Sequence, residues 1–212
     1  MAKFGSLEVR TFGKGKERIT VAVFPGHEFT AEHFDPAKLE RVWWLSSRVG
    51  LFSNKSANVA FVGKVAEPTI GLGNTAPLSA VNEAKIAMYA NHVAKKHGFH
   101  DMVVDEPLAV SFKRGEAQVF YRRFTPKSHA PALDKFGHLI PEPKFPAREQ
   151  LHRIELFLNK LRKEGVTPKD IVNPRGQTQY CLADDGKVHF FDVEFWKPTE
   201  KLKKQLKLRR QE

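Results

Sequence analysis

The sequence predicts a mixed α/β domain of the α+β type, and three observations carry that expectation. Short stretches of alternating apolar and polar residues pair up across glycine-bearing turns, the pattern of β-hairpins. Two longer stretches repeat their apolar residues at helical spacing. The chain has 212 residues, 41% of them hydrophobic and 28% charged, which suits one substantial domain with at most a small appendage.

The first hairpin runs from Leu7, Val9 and Thr11 through a turn at Gly13-Lys14-Gly15-Lys16 to Ile19, Val21 and Val23. Asp35-Pro36 offers an N-cap and a first-turn proline, so a helix is expected through Leu39, Val42, Trp43 and Leu45. Asn58 to Val65 is a buried strand carrying Lys64 near its end. A glycine-bearing loop, Thr69 to Asn74, precedes a helix over Leu78 to His97, where Val81, Ala84, Ile86, Tyr89, His92 and Val93 share adjoining faces. Val103 to Val110 and Ala117 to Phe124 are strands joined at Lys113-Arg114-Gly115. The proline-rich stretch Pro126 to Pro146 is expected to be irregular. Phe145 to Glu164 is a second helix, with Leu151, Ile154, Leu158 and Leu161 on one side and Gly165 as its stop. A loop, Val166 to Thr178, leads into a hairpin from Gln179 to Phe195 that turns at Asp184-Asp185-Gly186-Lys187. The organisation expected is a sheet-and-helix lobe over 1–125, a connector over 126–147, a reduced C-terminal lobe over 148–198 and a basic tail over 199–212.

The single cysteine, Cys181, excludes an intramolecular disulfide and a multi-cysteine zinc site, and its apolar neighbours predict a buried, inert thiol. His97 with His100, and His27 with His33, come without a third nearby ligand, so solvated or core histidines are expected rather than zinc. No stretch has the length of a signal peptide's apolar run or of a membrane span, and a cytoplasmic protein is expected, in the cell that makes it or in a host that receives it. A net charge of +11 fits a polyanionic partner such as nucleic acid, a nucleotide or an acidic protein surface. Much of the excess is local. Lys197, Lys201, Lys203, Lys204, Lys207, Arg209 and Arg210 stand against one acid, Glu200, and a solvated tail explains them as well as a binding face does. Lys201 to Arg210 is expected to form an exposed amphipathic helix, with Leu202, Leu206 and Leu208 turned to the body.

The stretch that carries chemistry is Gly165 to Glu194: a glycine stop, a loop with Asp170, a hairpin, and an apolar strand ending in Phe190-Phe191-Asp192. A carboxylate at the end of a buried strand either caps the next turn or binds something. Here the chain resembles the protein kinase-like superfamily. Gly165 to Ile171 is similar to the catalytic loop, and Phe190 to Glu194 to the metal-binding segment. Upstream, Phe61-Val62-Gly63-Lys64-Val65 resembles the strand whose lysine holds nucleotide phosphates, Glu83 on the next helix its partner, and Glu106 to Val110 with Gln118 to Phe124 the strands leading to the nucleotide hinge. The resemblance spans roughly 58–194. It implies a compact kinase-like fold with an N-terminal antiparallel sheet, one helix and a reduced helical C-terminal lobe. It also implies ATP and magnesium as cofactors, with Lys64 and Glu83 binding nucleotide, Asp192 and Gln179 holding the metal, and Asp170 orienting an acceptor hydroxyl, on a protein substrate or another acceptor, and taking its proton.

The sequence departs from the pattern at several places. Pro168 replaces the histidine before the catalytic aspartate, Arg175 stands where an asparagine is usual, and Val193 follows Asp192 in place of glycine. Gln179 is at the usual distance before Asp192 and would take the asparagine's part. The only stand-in for a phosphate-covering loop is Gly50 to Asn58. Each site residue has a bland alternative: Lys64 and Glu83 as surface charges, Asp170 as a turn residue, Asp192 as a cap. Three further readings compete with the phosphotransferase. One is a metal-dependent nuclease using Asp185 or Asp192 with Glu194 and Lys197, although Trp196 stands where acid-x-Lys spacing would require lysine. Another is a nucleic-acid binder using the tail and Phe120-Tyr121-Arg122-Arg123-Phe124. The last is an inactive kinase-like scaffold.

Overall fold

The computed structural model describes residues 6–44, 49–66, 76–113, 116–123, 132–133, 139–140, 148–169, 171, 178–191, 193 and 196–208. In chain order the first strands are β1 (Glu8–Phe12), β2 (Ile19–Val23), β3 (Leu39–Trp44), β4 (Val49–Asn54) and β5 (Val59–Ala66). Helix α1 (Ala76–Lys96) is followed by β6 (Met102–Val104), β7 (Pro107–Lys113) and β8 (Glu116–Arg122). Two short strands, β9 (Ala132–Leu133) and β10 (Leu139–Ile140), precede α2 (Arg148–Lys163). Then come β11 (Val166–Thr167), β12 (Tyr180–Leu182), β13 (Val188–Phe190), β14 (Lys197–Pro198) and α3 (Glu200–Leu206). A large antiparallel sheet and three α-helices, rather than a parallel sheet with alternating helices, make the fold α+β, as its pattern predicts.

Two compact units divide the chain. The first comprises residues 1–85, 106–123 and 208–212, and the second residues 86–105 and 124–207.

The first unit is built on a seven-stranded sheet in the order β1-β2-β7-β8-β5-β4-β3, antiparallel throughout. Because side chains alternate across a strand, each strand feeds two cores. On one face Phe34, Phe61 and Phe120 meet at ring-centroid distances of 4.6 and 5.4 Å from Phe34, packed with Val21, Val23 and Ala109. A single 3₁₀ turn, Ala31–Phe34, lies over this face and is capped through Thr30 and His33. The other face takes α1. Ala80 and Ala84 pack on Val110, Ala117 and Val119, and their small side chains let the helix lie close to the strands.

The expected helix after Asp35-Pro36 is absent, and Leu39–Trp44 is instead the edge strand β3. Asp35 does organise one turn, accepting from the Ala37 and Lys38 backbone N–H groups. Beyond it Trp43 and Trp44 pair with Leu51 and Gly50 of β4, past an irregularity at Val42, a cross-strand partner that the capping motif cannot report. Gly50 is likewise a strand residue, opposite Gly63 in the β4–β5 ladder, and of the stretch 50–58 only residues 55–58 form a turn, the one that joins β4 to β5.

In the second unit, Ile154, Phe157, Leu158 and Leu161 of α2 are buried, as are Val93, Ala94 and Val104, while Leu151 is 43% exposed rather than on the buried stripe. Phe157 stacks at 5.4 Å from both Phe99 and Phe190, and Trp196 meets Phe190 edge-on at 6.1 Å. The strand expected over Val103 to Val110 breaks in two. β6 joins β13 in a small sheet of order β12-β13-β6, with the Asp105 N–H continuing onto the Phe190 carbonyl. Pro107, which has no N–H and restricts the residue before it, opens β7 in the large sheet. Gly165 ends α2 in the left-handed region at φ 93°, and a Cβ there would stand 3.0 Å from Thr199 Oγ1. β9 and β10 pair within the stretch expected to be irregular, and much of that stretch lies outside the described residues.

Candidate functional site

Lys64 and Glu83 belong to the first unit. Lys64 is paired with Val119 in the β5–β8 ladder, so its side chain is on the face that α1 covers. Glu83 sits on α1 beside Ala84, the residue that packs on Val119. Its carboxylate is only 4% exposed, a costly place for a charge unless hydrogen bonds compensate it. The Tyr121 hydroxyl donates to Glu83 Oε1 at 2.8 Å, and Tyr121 lies opposite Val62 on the same sheet face. Lysine, glutamate and tyrosine therefore share one side of the sheet, and Glu83 is no surface charge.

Gln179 belongs to the second unit and opens the β12–β13 hairpin. Its backbone is in the ladder: its N–H donates to the Ile171 carbonyl at 2.8 Å, and the Phe191 N–H donates to its carbonyl at 3.1 Å. The hairpin thus holds Gln179 beside Phe191, one residue before Asp192 in the chain. The side-chain oxygen Oε1 is buried and accepts no hydrogen bond. Leaving a buried acceptor unsatisfied costs about 1–3 kcal/mol. A hard cation, which takes oxygen ligands, would relieve that cost, so the residue fits the magnesium that the resemblance implies. Among the described residues the other buried side-chain atom without a partner is Trp196 Nε1, a donor that cannot ligate a cation. Asp170 and Asp192 themselves lie outside the described residues, as do Glu194, Arg175 and the loop over 67–75.

Tyr121 is a partner of Glu83 that sequence reasoning missed. Its alternation within β8 marks it only as a strand aromatic, and its partner is 38 residues away on a helix. A second cluster also escaped notice. His189 is buried on β13, with Nδ1 2.8 Å from Asp105 Oδ1 and Nε2 3.2 Å from Asp185 Oδ2. Burial opposes charge on the imidazole, but the hydrogen bonds and charges of the two carboxylates outweigh it and raise its pKa above the usual histidine value. Burial pushes the Asp105 carboxyl up in spite of the imidazole, while Asp185, less deeply placed, is lowered on balance by the Lys187 N–H and His189. With Asp185 so engaged, the nuclease reading loses one of its carboxylates to a structural role. Cys181 pairs with His189 across the hairpin, and burial followed by the two nearby carboxylates pushes its thiol up to about 12, so it is inert as expected.

The remaining candidates find structural partners. His27 Nε2 donates to the Leu108 carbonyl, His33 Nδ1 accepts from the Thr30 N–H, and His97 bonds Glu164 Oε1 at 2.9 Å. Of the aromatic-basic run, Phe120 is buried, and Arg122 pairs with Glu28 while lying 5.2 Å above the Phe29 ring, so neither offers a stacking surface. A cavity of about 290 Å³ opens on the sheet face opposite Lys64, lined by Phe34, Phe52, Phe120, Ser111 and Gln118, and contains none of the predicted site residues. Among the described residues, no helix is long and apolar enough to cross a membrane.

No family profile and no curated protein sequence matches the chain. Among solved structures, the chain is similar to the Cydia pomonella granulovirus kinase PK-1, at 15% identity and a TM-score of 0.47, over 80% of this chain and 55% of that one. The chain spans about half the length of that kinase.

Proposed function

We propose that this chain is an atypical, protein kinase-like phosphotransferase that binds ATP with magnesium. The observation that carries the proposal is the carboxylate of Glu83, buried on the helix that covers the Lys64 face of the sheet and held there by Tyr121. A buried acid aligned by a tyrosine on a lysine-bearing face suits a cation that must be kept pointing at phosphate. The order of elements supports the same reading: the Lys64 strand β5, then α1 with Glu83, then β7 and β8, with β8 hydrogen-bonded between β5 and β7.

Phosphoryl transfer asks the protein for positioning and charge neutralisation more than covalent chemistry. In this reading Lys64 binds phosphate oxygens, Glu83 fixes the direction of the lysine, and Tyr121 fixes the glutamate. Gln179 supplies its unsatisfied amide oxygen, and Asp192 its carboxylate, to the cation. Magnesium, when bound with the nucleotide, neutralises charge on the phosphates. Asp170 orients the acceptor hydroxyl and takes its proton. Pro168, which stands in place of histidine, is buried.

Calorimetric titration of ATP, with and without magnesium, tests the proposal on the parent protein, Lys64→Ala and Asp192→Asn. The expected result is magnesium-dependent binding in the parent, weak binding in Lys64→Ala, and loss of the magnesium dependence in Asp192→Asn. Absence of ATP binding in the folded parent overturns it.

A further inference from the structure

We propose that the junction of α2 and α3 is a docking face for the phosphate backbone of double-stranded nucleic acid, bound without regard to base sequence. The junction is tightly fixed within the second unit. The Thr199 N–H donates to the Gly165 carbonyl at 2.8 Å, β11 pairs with β14 so that Val166 faces Pro198 and Thr167 faces Lys197, and Leu202 is 3% exposed. Gly165 has no side chain because Thr199 and Leu202 occupy that space.

This welding gathers cations from two parts of the chain. Arg162 and Lys163 precede Gly165 by three and two residues, and Lys197, Lys201 and Lys204 flank Thr199. All five are exposed, and none forms an ion pair with a described residue; Arg162 bonds only the neutral Asn159 amide. The acids nearby are already engaged. Glu164 accepts from His97 and pairs with Lys96 and Lys160, and Glu200 pairs with Lys203. The hydrogen bond from His97, with the neighbouring charges, holds the Glu164 carboxyl below the usual range against the effect of burial, so it stays anionic and spent on its own partners. The result is positive charge that no described residue answers with an ion pair, in a protein of net charge +11.

The chemistry of the face selects the partner. Lysines are compact point charges that neutralise phosphates but do not read base edges. Single strands are held by aromatic stacking, and the five cations are interleaved with no exposed aromatic among the described residues of α2 and α3. Insertion into a membrane surface would need apolar residues beside the lysines; of the α3 leucines Leu202 is spent in the core and Leu206 is half-buried, and the exposed α2 leucines, Leu151 and Leu156, precede Arg162 by eleven and six residues. A duplex backbone is the polyanion that asks for fixed charges alone.

The test is fluorescence anisotropy with two labelled 20-base-pair duplexes of unrelated sequence, over a series of salt concentrations, using the full chain. The expected result is equal affinity for both duplexes and a plot of log affinity against log salt with a slope of about −3 to −5, one unit for each phosphate neutralised. Lys201→Glu with Lys204→Glu should reduce affinity at least tenfold and flatten the slope by about two. Lys14→Glu with Arg18→Glu, the same charge change in the first unit, should reduce it much less. Equal losses in the two double variants would mean that net charge alone drives binding and would overturn the proposal. So would absence of duplex binding at low salt, or binding to vesicles containing phosphatidylserine but not to the duplex.

Discussion

Tyr121→Phe removes one oxygen and keeps the ring, so it isolates the hydrogen bond to Glu83. The ring's packing beside Ala84 and Val119 is preserved. What is lost is a 2.8 Å donor to a carboxylate that is 4% exposed and cannot turn to water. A hydrogen bond to a charged group contributes about 1.5–3 kcal/mol, and the loss should fall in that range. At a urea slope of about 2 kcal/mol per M, the unfolding midpoint drops by about 1 M. The control is the same change in a Glu83→Gln background. There the acceptor is neutral, the hydrogen bond is worth about 0.5–1.5 kcal/mol, and Tyr121→Phe should cost roughly 1 kcal/mol less. ATP binding should weaken in Tyr121→Phe, because the glutamate that directs Lys64 is then held less firmly. Identical losses in the two backgrounds, within about 0.3 kcal/mol, would refute the idea that the hydroxyl serves the carboxylate.

Two further perturbations test other parts of the fold. His189 has a raised folded-state pKa, so its contribution to stability is complete below the unfolded value near 6.5 and fades as pH rises through the folded value. Parent stability in urea should therefore fall as pH rises above about 6.5 and through the raised folded-state value, and His189→Asn should remove most of that slope; a flat parent profile contradicts the assignment. Gly63→Ala places a Cβ 2.5 Å from Phe52 Cε2 and 2.9 Å from Gln118 Nε2, so thermal unfolding should show a loss of about 1–3 kcal/mol, and an unchanged melting temperature would show that Phe52 yields freely.

Local chemistry explains what was legible in the sequence. The period of Val81, Ala84 and Val93 and of Ile154, Leu158 and Leu161 predicts α1 and α2, while Gly165 stops α2 and the Asp-Gly turn at 185–186 joins β12 to β13, because glycine readily tolerates φ near +80 to +90°. The errors arise where pairing with another strand decides. Asp35-Pro36 starts one turn, but the pairing of Trp43 with Leu51 then wins over helical propensity. Val103 to Val110 is interrupted at Asp105-Glu106-Pro107, and its two ends pair with different strands, β13 and β2. Of the candidate site, the face of Lys64 follows from strand alternation, and the ladder position of Gln179 follows from the hairpin turn. The burial of Glu83, its bond from Tyr121 and the Asp105–His189–Asp185 cluster depend on contacts across 38 and 84 residues, which no local pattern encodes.

The most direct test of the phosphotransferase reading is transfer of the labelled γ-phosphate of ATP, measured at saturating magnesium on the parent, Asp170→Asn and Asp192→Asn. Each substitution removes one charge and almost no volume, and folding should survive both. The account predicts measurable turnover in the parent and none in Asp192→Asn. For Asp170→Asn it predicts a fall of about 10²- to 10⁴-fold with nucleotide affinity nearly unchanged, since that residue acts on the acceptor rather than the phosphates. Turnover that is equally unmeasurable in all three folded proteins would contradict it.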